Sequence, residues 1–302
     1  MSWKLSATAP RQMVEAALDA RDAAADWDEG IVLSAFEVDP DEPDRWQLDA
    51  YTEARPSAAD RKAVRGLFAD PSGLRLTAEK LPETDWVSES QRGVQPIRAG
   101  RFHVHTPDHQ PLAQAGVTDF CIPAAQAFGT GHHETTAGCL EMLDLMRRQG
   151  VLTRHVADIG TGTGLLAFAA LDLWPRAWAT ASDIDPVCLP AVEDNALRNG
   201  VSMGTGKGEL TMVVADGMDD PVLAAAAPFD LLIANILAGP LIDMAYDFAD
   251  AVTERGNILL SGLLATQQAK VCAAYRRAGF RLQKSLVRGD WAILWLRQRY
   301  RG

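Results

Sequence analysis

Three glycines at alternate positions, Gly160, Gly162 and Gly164, stand between a short apolar stretch at 155–159 and an Ala- and Leu-rich run at 165–171. Such a loop turns a strand into a helix and lets backbone N–H groups and the helix N-terminus approach a ligand closely. An acid follows at a fitting distance. Residues 178–182 read as a second strand, and Asp183 stands at its end, 19 residues after Gly164, where a carboxylate can hold a ribose diol. A later strand, 229–234, delivers the amide of Asn235 at its carboxyl end. These residues point to nucleoside binding. No Ser-His-Asp or Cys-His arrangement accompanies them, so nucleophilic catalysis has no candidate here.

The spacing also narrows the nucleoside. A dinucleotide fingerprint needs a small residue five positions after its first glycine, and this chain has Leu165 there. No G-x-x-x-x-G-K-[ST] occurs, which removes the triphosphate-binding P-loop. A nicotinamide oxidoreductase is therefore disfavoured, and a purely structural turn is disfavoured by the strand, helix and acid that surround the loop.

The 302 residues, 47% hydrophobic and 23% charged, suffice for about two globular domains with full cores. With 29 basic and 40 acidic residues the net charge is −11, which argues against a phosphate-tracking surface and for a small ligand or a basic partner. Cys121, Cys139, Cys188 and Cys272 are scattered without C-x-x-C spacing, so neither structural zinc nor a disulfide framework is expected and a reducing cytoplasm fits best. The N-terminus has no basic segment followed by an apolar one, so no signal peptide is read. The most apolar window, 222–242, is broken by Pro228, Asp230, Asn235 and Pro240 and cannot span a membrane.

The elements that must position these residues follow from periodicity. Residues 1–80 read β-α-β-β-α-β, the order of a ferredoxin-like sandwich. Met13, Val14, Ala17 and Leu18 share one helical face, Ser57 and Asp60 have the spacing of a capping box, and Leu74, Leu76 and Ala78 alternate with polar residues. This domain carries no nucleophile or glycine loop, and recognition is its expected task. Residues 81–118 are polar, contain Pro96, Pro107 and Pro111, and read as a linker, with 102–105 as a short strand inside it. His103 and His105 are expected on the surface without a metal role. Beyond it, 119–302 is a doubly wound α/β domain. A Gly129-Thr-Gly131 turn precedes Thr135 and Thr136 at the start of a helix expected over 137–148, and offers hydroxyls and free N–H groups. His132-His133-Glu134 lacks metal-ligand spacing, and no metal is expected. Strands at 210–214, 229–234 and 258–261 and a terminal hairpin, 281–287 with 291–296, complete the sheet.

Three motifs, A-F-G-T-G-H-H-E-T-T at 127–136, D-I-G-T-G-T-G-L-L-A at 158–167 and N-I-L-A-G-P-L at 235–241, together resemble the ribosomal protein L11 methyltransferases, the PrmA family, within the class I S-adenosylmethionine-dependent methyltransferases. The likeness covers nearly the whole chain, although the family usually shows G-T-H-P-T-T where this chain has G-H-H-E-T-T. It implies a Rossmann-like class I sheet with a small ferredoxin-like domain in front, and S-adenosylmethionine as cofactor. Thr136, Gly160, Gly162, Asp183 and Asn235 then fall on cofactor-contacting positions, with Asn235 also the catalytic position and Asp216 near the adenine. It further implies N-methylation of the α-amine and lysine side chains of ribosomal protein L11, taken free of the ribosome by a monomer that touches neither nucleic acid nor membrane. Related enzymes hold a planar amine with N-P-P-Y; Ile236-Leu237 in place of Pro-Pro suits a pyramidal aliphatic amine. Residues near the motif that could act as base are Glu134 and His133, and neither is assigned. Another protein or a small amine as substrate, and a scaffold that has kept the fold, are the alternatives.

Overall fold

The computed structural model describes residues 3–22, 27–28, 30–38, 44–52, 54–71, 73–80, 95–123 and 132–300. The chain divides into two compact units, Met1–Trp86 and Val87–Gly302.

In the first unit, β1 (Trp3–Pro10), α1 (Arg11–Asp22), β2 (Val32–Glu37), β3 (Arg45–Thr52), α2 (Ala58–Gly66) and β4 (Thr77–Lys80) follow in that order. The sheet runs β2-β3-β1-β4 with antiparallel neighbours throughout, which is the ferredoxin-like arrangement expected from the element order. One face of the sheet, with Leu5, Ala7, Leu48 and Ala50, buries against Val14 and Ala17 of α1 and Val64 of α2. The capping box forms as read. Ser57 Oγ accepts from the N–H groups of Ala59 and Asp60 at 3.2 Å, and the Ser57 N–H donates to Asp60 Oδ2 at 2.7 Å. Leu74 and Leu76 do alternate in burial with their neighbours, but the hydrogen-bonded strand begins only at Thr77.

The second unit opens with a small sheet, β5 (Ile97–Ala99), β6 (Phe102–His105) and β7 (Thr118–Cys121). Part of the stretch expected as a linker is therefore folded. Its role is to cover a helix: α4 (Leu165–Leu173) is apolar on nearly every side, and Phe120 packs on Phe168 while the Thr118 hydroxyl donates to Asp172 at 3.0 Å. The histidines of β6 also depart from expectation. His103 and His105 are buried, and both rings turn to Asp119, which faces His103 across the parallel β6–β7 register. Burial pushes the Asp119 carboxyl up, but the Leu112 N–H and the two imidazoles outweigh it and hold it below the usual carboxylate range. A cross-strand acid of this kind has no local signature in sequence.

The remaining elements are α3 (His132–Arg148), β8 (His155–Ile159), α4, β9 (Trp178–Asp183), α5 (Cys188–Arg198), β10 (Ser202–Met203), β11 (Glu209–Val214), α6 (Pro221–Ala226), β12 (Phe229–Asn235), α7 (Ala238–Asp243), α8 (Ala245–Ala251), β13 (Val252–Leu264), α9 (Gln268–Arg277), β14 (Phe280–Arg288) and β15 (Trp291–Gln298). They build a sheet in the order β10-β11-β9-β8-β12-β13-β15-β14, parallel from β10 to β13, with β15 antiparallel to both its neighbours. Both faces are buried, so successive residues such as Leu231 and Leu232, or Ile258 and Leu259, enter opposite cores. The helix expected from residue 137 begins a turn earlier, at His132, and takes Thr135 and Thr136 into its body instead of using one as a cap. Chain order reverses between β8 and β12, and the carboxyl ends of those strands frame the crevice where such sheets bind ligands. No described helix is long and apolar enough to cross a membrane.

Candidate functional site

Beyond β8 the backbone turns through Gly160, Gly162 and Gly164 at φ of +70°, +59° and +83°, a region that residues with a Cβ rarely adopt. The N–H groups of Gly160 and Thr161 donate to the Ser182 carbonyl at 2.8 and 2.9 Å, tying the loop to β9. Gly162 donates its N–H to Asp183 Oδ2 at 2.8 Å, and Asp185 donates to Asp183 Oδ1 at 3.1 Å. The loop thus aims the carboxylate, which has four lone pairs and keeps acceptor capacity for a ligand beyond these two bonds and one from Cys188. A Cβ on Gly162 would meet nothing within 4 Å, which leaves an open approach to the peptide there.

Beneath the loop lies Asp158, only 1% exposed. Its Oδ2 accepts from the Thr161 hydroxyl at 2.6 Å and from the Ala167 N–H at 3.1 Å, while Oδ1 has no partner among the described residues. Burial pushes its carboxyl up to about 6, against the lowering effect of those two bonds. It braces the strand-to-helix turn from inside.

The loop opens on a cavity of about 570 Å³. Gly160, Gly162, Asp183 and Asn235 all line it, so four of the five residues expected at the site meet in one space. Asp216 joins them on the wall, next to Ala215 after β11. The fifth, Thr136, is buried and is not part of the wall; its neighbour Thr135 is. Asn235 Nδ2 donates to Thr135 Oγ1 at 3.5 Å, and Asn235 Oδ1 is buried without a partner among the described residues. A buried acceptor without a partner beside a cavity calls for an explanation, and a small shift of the side chain would offer it to a ligand donor. Ile184 and Leu237 stand at the mouth with 66% and 70% of their surface exposed, apolar groups that a flat or aliphatic ligand would cover.

Of the residues near the motif, Glu134 forms an ion pair with Arg288, 3.6 Å away, and is not among the residues that line the cavity. The His133 side chain and the Gly129–Gly131 turn lie outside the described residues. Four wall residues, Gly217, Met244, Gly262 and Trp291, escaped the sequence reading. Met244 packs so close to Gly217 that a Cβ there would come 2.7 Å from its sulfur. Trp291 arrives from the terminal hairpin. Gly262, at φ +81°, brings β13 against residue 236: a Cβ there would lie 2.7 and 2.8 Å from the Ile236 carbonyl carbon and nitrogen. A glycine in the fifth strand was the available signal for this last contact.

The family model described as "Ribosomal protein L11 methyltransferase (PrmA)" matches residues 14–299 of the chain. A ribosomal protein L11 methyltransferase of Sinorhizobium fredii is 40% identical over 270 residues, covering 89% of this chain and 90% of its own. One from Rhizobium meliloti is 38% identical over 295 residues, covering 97% and 98%. Among solved structures, the ribosomal protein L11 methylase of Lactobacillus delbrueckii subsp. bulgaricus is 28% identical with a TM-score of 0.55, covering 68% of this chain and all of that one.

Proposed function

Because the chain belongs to the ribosomal protein L11 methyltransferase (PrmA) family, we propose that it moves methyl groups from S-adenosylmethionine to the α-amine and lysine ε-amines of ribosomal protein L11. One observation carries the reading: a single cavity is lined by Asp183, oriented by the glycine loop, and by Asn235, whose Oδ1 has no partner among the described residues.

The residues fit the cofactor chemically. Asp183 takes the ribose hydroxyls, the open approach at Gly162 admits the ligand to the peptide, and Ile184 with Asp216 offers an apolar plate beside an acceptor for an aromatic amine. When bound, S-adenosylmethionine supplies a methyl group already activated on a sulfonium. The protein therefore contributes chiefly alignment, an effect that reaches about 7–11 kcal/mol in well-oriented systems. Asn235 Oδ1 accepts a hydrogen from the substrate amine and turns its lone pair toward the methyl. That lone pair must first be freed. Deprotonating a lysine at pH 7 costs about 4–5 kcal/mol, against about 1 kcal/mol for an α-amine. The apolar rim of Ile184 and Leu237 lowers this cost by desolvating the ammonium. Thr136 keeps its place in the proposal as a cofactor contact that neighbours the wall residue Thr135.

The first unit, expected over residues 1–80, docks the substrate, and the catalytic domain follows the connecting stretch. The acidic balance of −11 supports a basic protein partner, taken free of the ribosome by a cytoplasmic monomer without nucleic acid. Mass spectrometry of ribosomal protein L11 after incubation with enzyme and S-adenosylmethionine should show successive single-methyl increments at its N-terminus and lysines. An unmodified substrate beside an enzyme that binds the cofactor would sink the substrate assignment. Removing residues 1–80 should abolish this methylation while cofactor binding persists; retained methylation would end the docking role.

A further inference from the structure

Two acids on one face of α3 share one arginine. Glu134 and Glu141 are seven residues apart on that helix, about two turns. Arg288, the last residue of β14, donates from Nη2 and Nε to Glu141 Oε2 at 3.0 and 3.1 Å, and its Nη1 lies 3.6 Å from Glu134 Oε2. A second point of contact lies between them. Gly138 of α3 approaches β15 so closely that a Cβ would strike the Ile293 side chain. The start of α3 and the β14–β15 hairpin are thus locked together, and each gives the cavity a wall, Thr135 from the helix and Trp291 from the hairpin.

The lock bears on a polar contact that orients Asn235. Its amide reaches the Thr135 hydroxyl at 3.5 Å, the outer limit of a hydrogen bond. Any outward drift of the first turn of α3 breaks that contact and frees the amide to rotate. The amide would then no longer present one fixed orientation to the incoming amine. Glu134, directly before Thr135, is the point at which the first turn is pinned.

We propose that Arg288 is a positioning residue for methyl transfer: by holding Glu134 it supports the first turn of α3, keeps Thr135 on the Asn235 amide, and so fixes the orientation in which that amide meets the amine. This rests on the role given above to Asn235. The acids and the arginine are all partly exposed, so the network adds little to stability and its loss shows in turnover.

The test is steady-state methylation by the full chain, with melting temperature measured alongside. Arg288→Ala should lower kcat about threefold to fivefold, the most that a partly exposed ion pair carries. KM for S-adenosylmethionine and the melting temperature should stay as they are. Arg288→Lys should recover only part of the loss, because a single ammonium cannot grip both acids as a guanidinium does. Adding Glu134→Pro to Arg288→Ala should restore kcat, since proline sets the first-turn backbone without an ion pair. Rising salt should depress kcat of the unaltered enzyme but not of Arg288→Ala. An unchanged kcat in Arg288→Ala, or a loss that tracks a lower melting temperature and is not recovered by Glu134→Pro, overturns the proposal. Asn235→Ala separates the two layers: if it keeps full turnover, the role of Asn235 falls and the clamp with it. If it loses turnover while Arg288→Ala keeps it, only the clamp falls.

Discussion

On the β8–β9 side of the cavity a ligand meets peptide groups shaped by glycines; on the α3–hairpin side it meets side chains whose places depend on other side chains. The first side is local. Gly160, Gly162 and Asp183 are held by hydrogen bonds among themselves and the strand between them, at 2.8 to 2.9 Å. The second is assembled from afar, with Thr135 and Asn235 a hundred residues apart in sequence and meeting at 3.5 Å. A backbone wall tolerates almost no change of residue type but does not respond to salt. A side-chain wall tolerates change and can be tuned. In this reading the cofactor rests on the rigid side and the substrate amine is judged on the adjustable one.

The sharpest way to test that contrast is to add one carbon where backbone packs on backbone at the cavity wall. Gly262→Ala forces a methyl into the Ile236 backbone, which cannot give way, and adds left-handed strain. A loss of about 3 kcal/mol or more in denaturant unfolding is expected. Gly162→Ala has the same backbone problem but open space, and should cost only about 1–2 kcal/mol.

Next in size is Asp158, with its folded pKa raised to about 6 from 3.8. The folded state then binds the proton more tightly than the unfolded chain. Protonation therefore stabilises the fold below about pH 4, and that contribution is lost as pH rises through 6. The difference of about two units corresponds to at most about 3 kcal/mol. Asp158→Asn should gain stability relative to the unaltered protein above pH 6, and the gain should vanish towards pH 4. Parallel melting curves at both ends with a constant difference would show that the carboxyl is not buried as described.

Asp183→Ala should weaken S-adenosylmethionine roughly tenfold to a hundredfold, as losing a charged hydrogen-bond acceptor does, while the fold survives. Smallest is the adjustable side. Thr135→Val should lower kcat by about fivefold through the lost contact to Asn235, with cofactor affinity kept. Thr136→Val should instead weaken the cofactor if the family position holds. The reverse pattern would exchange the roles of the two threonines.

The rigid side was legible in sequence because its parts are neighbours. The glycine spacing and the acid on the next strand each follow from one strand's period and its end, and across the cavity the amide ending β12 was legible on the same ground. The capping box at Ser57 and the ferredoxin-like order were legible for the same reason. What escaped depends on distance. Trp291 and Arg288 reach the site only through the pairing of β14 with β15, and Asp119 collects His103 and His105 only through the β6–β7 register. The strand at 102–105 was legible inside the polar stretch, but its partners at 97–99 and 118–121 were hidden because their apolar residues are few and answer to α4, an element some sixty residues on. The early start of α3 was obscured because the residues before 137 are polar, and the ion pair made there by Glu134 is with an arginine from the other end of the domain.

Calorimetric titration with S-adenosylmethionine, and separately with NADH, of the unaltered protein and of Asp183→Ala tests the assignment of the cavity most directly. The account predicts micromolar-range binding of S-adenosylmethionine by the unaltered protein, clear weakening in the variant, and no heat with NADH. Equal affinity in both proteins, or binding of NADH alone, would contradict it.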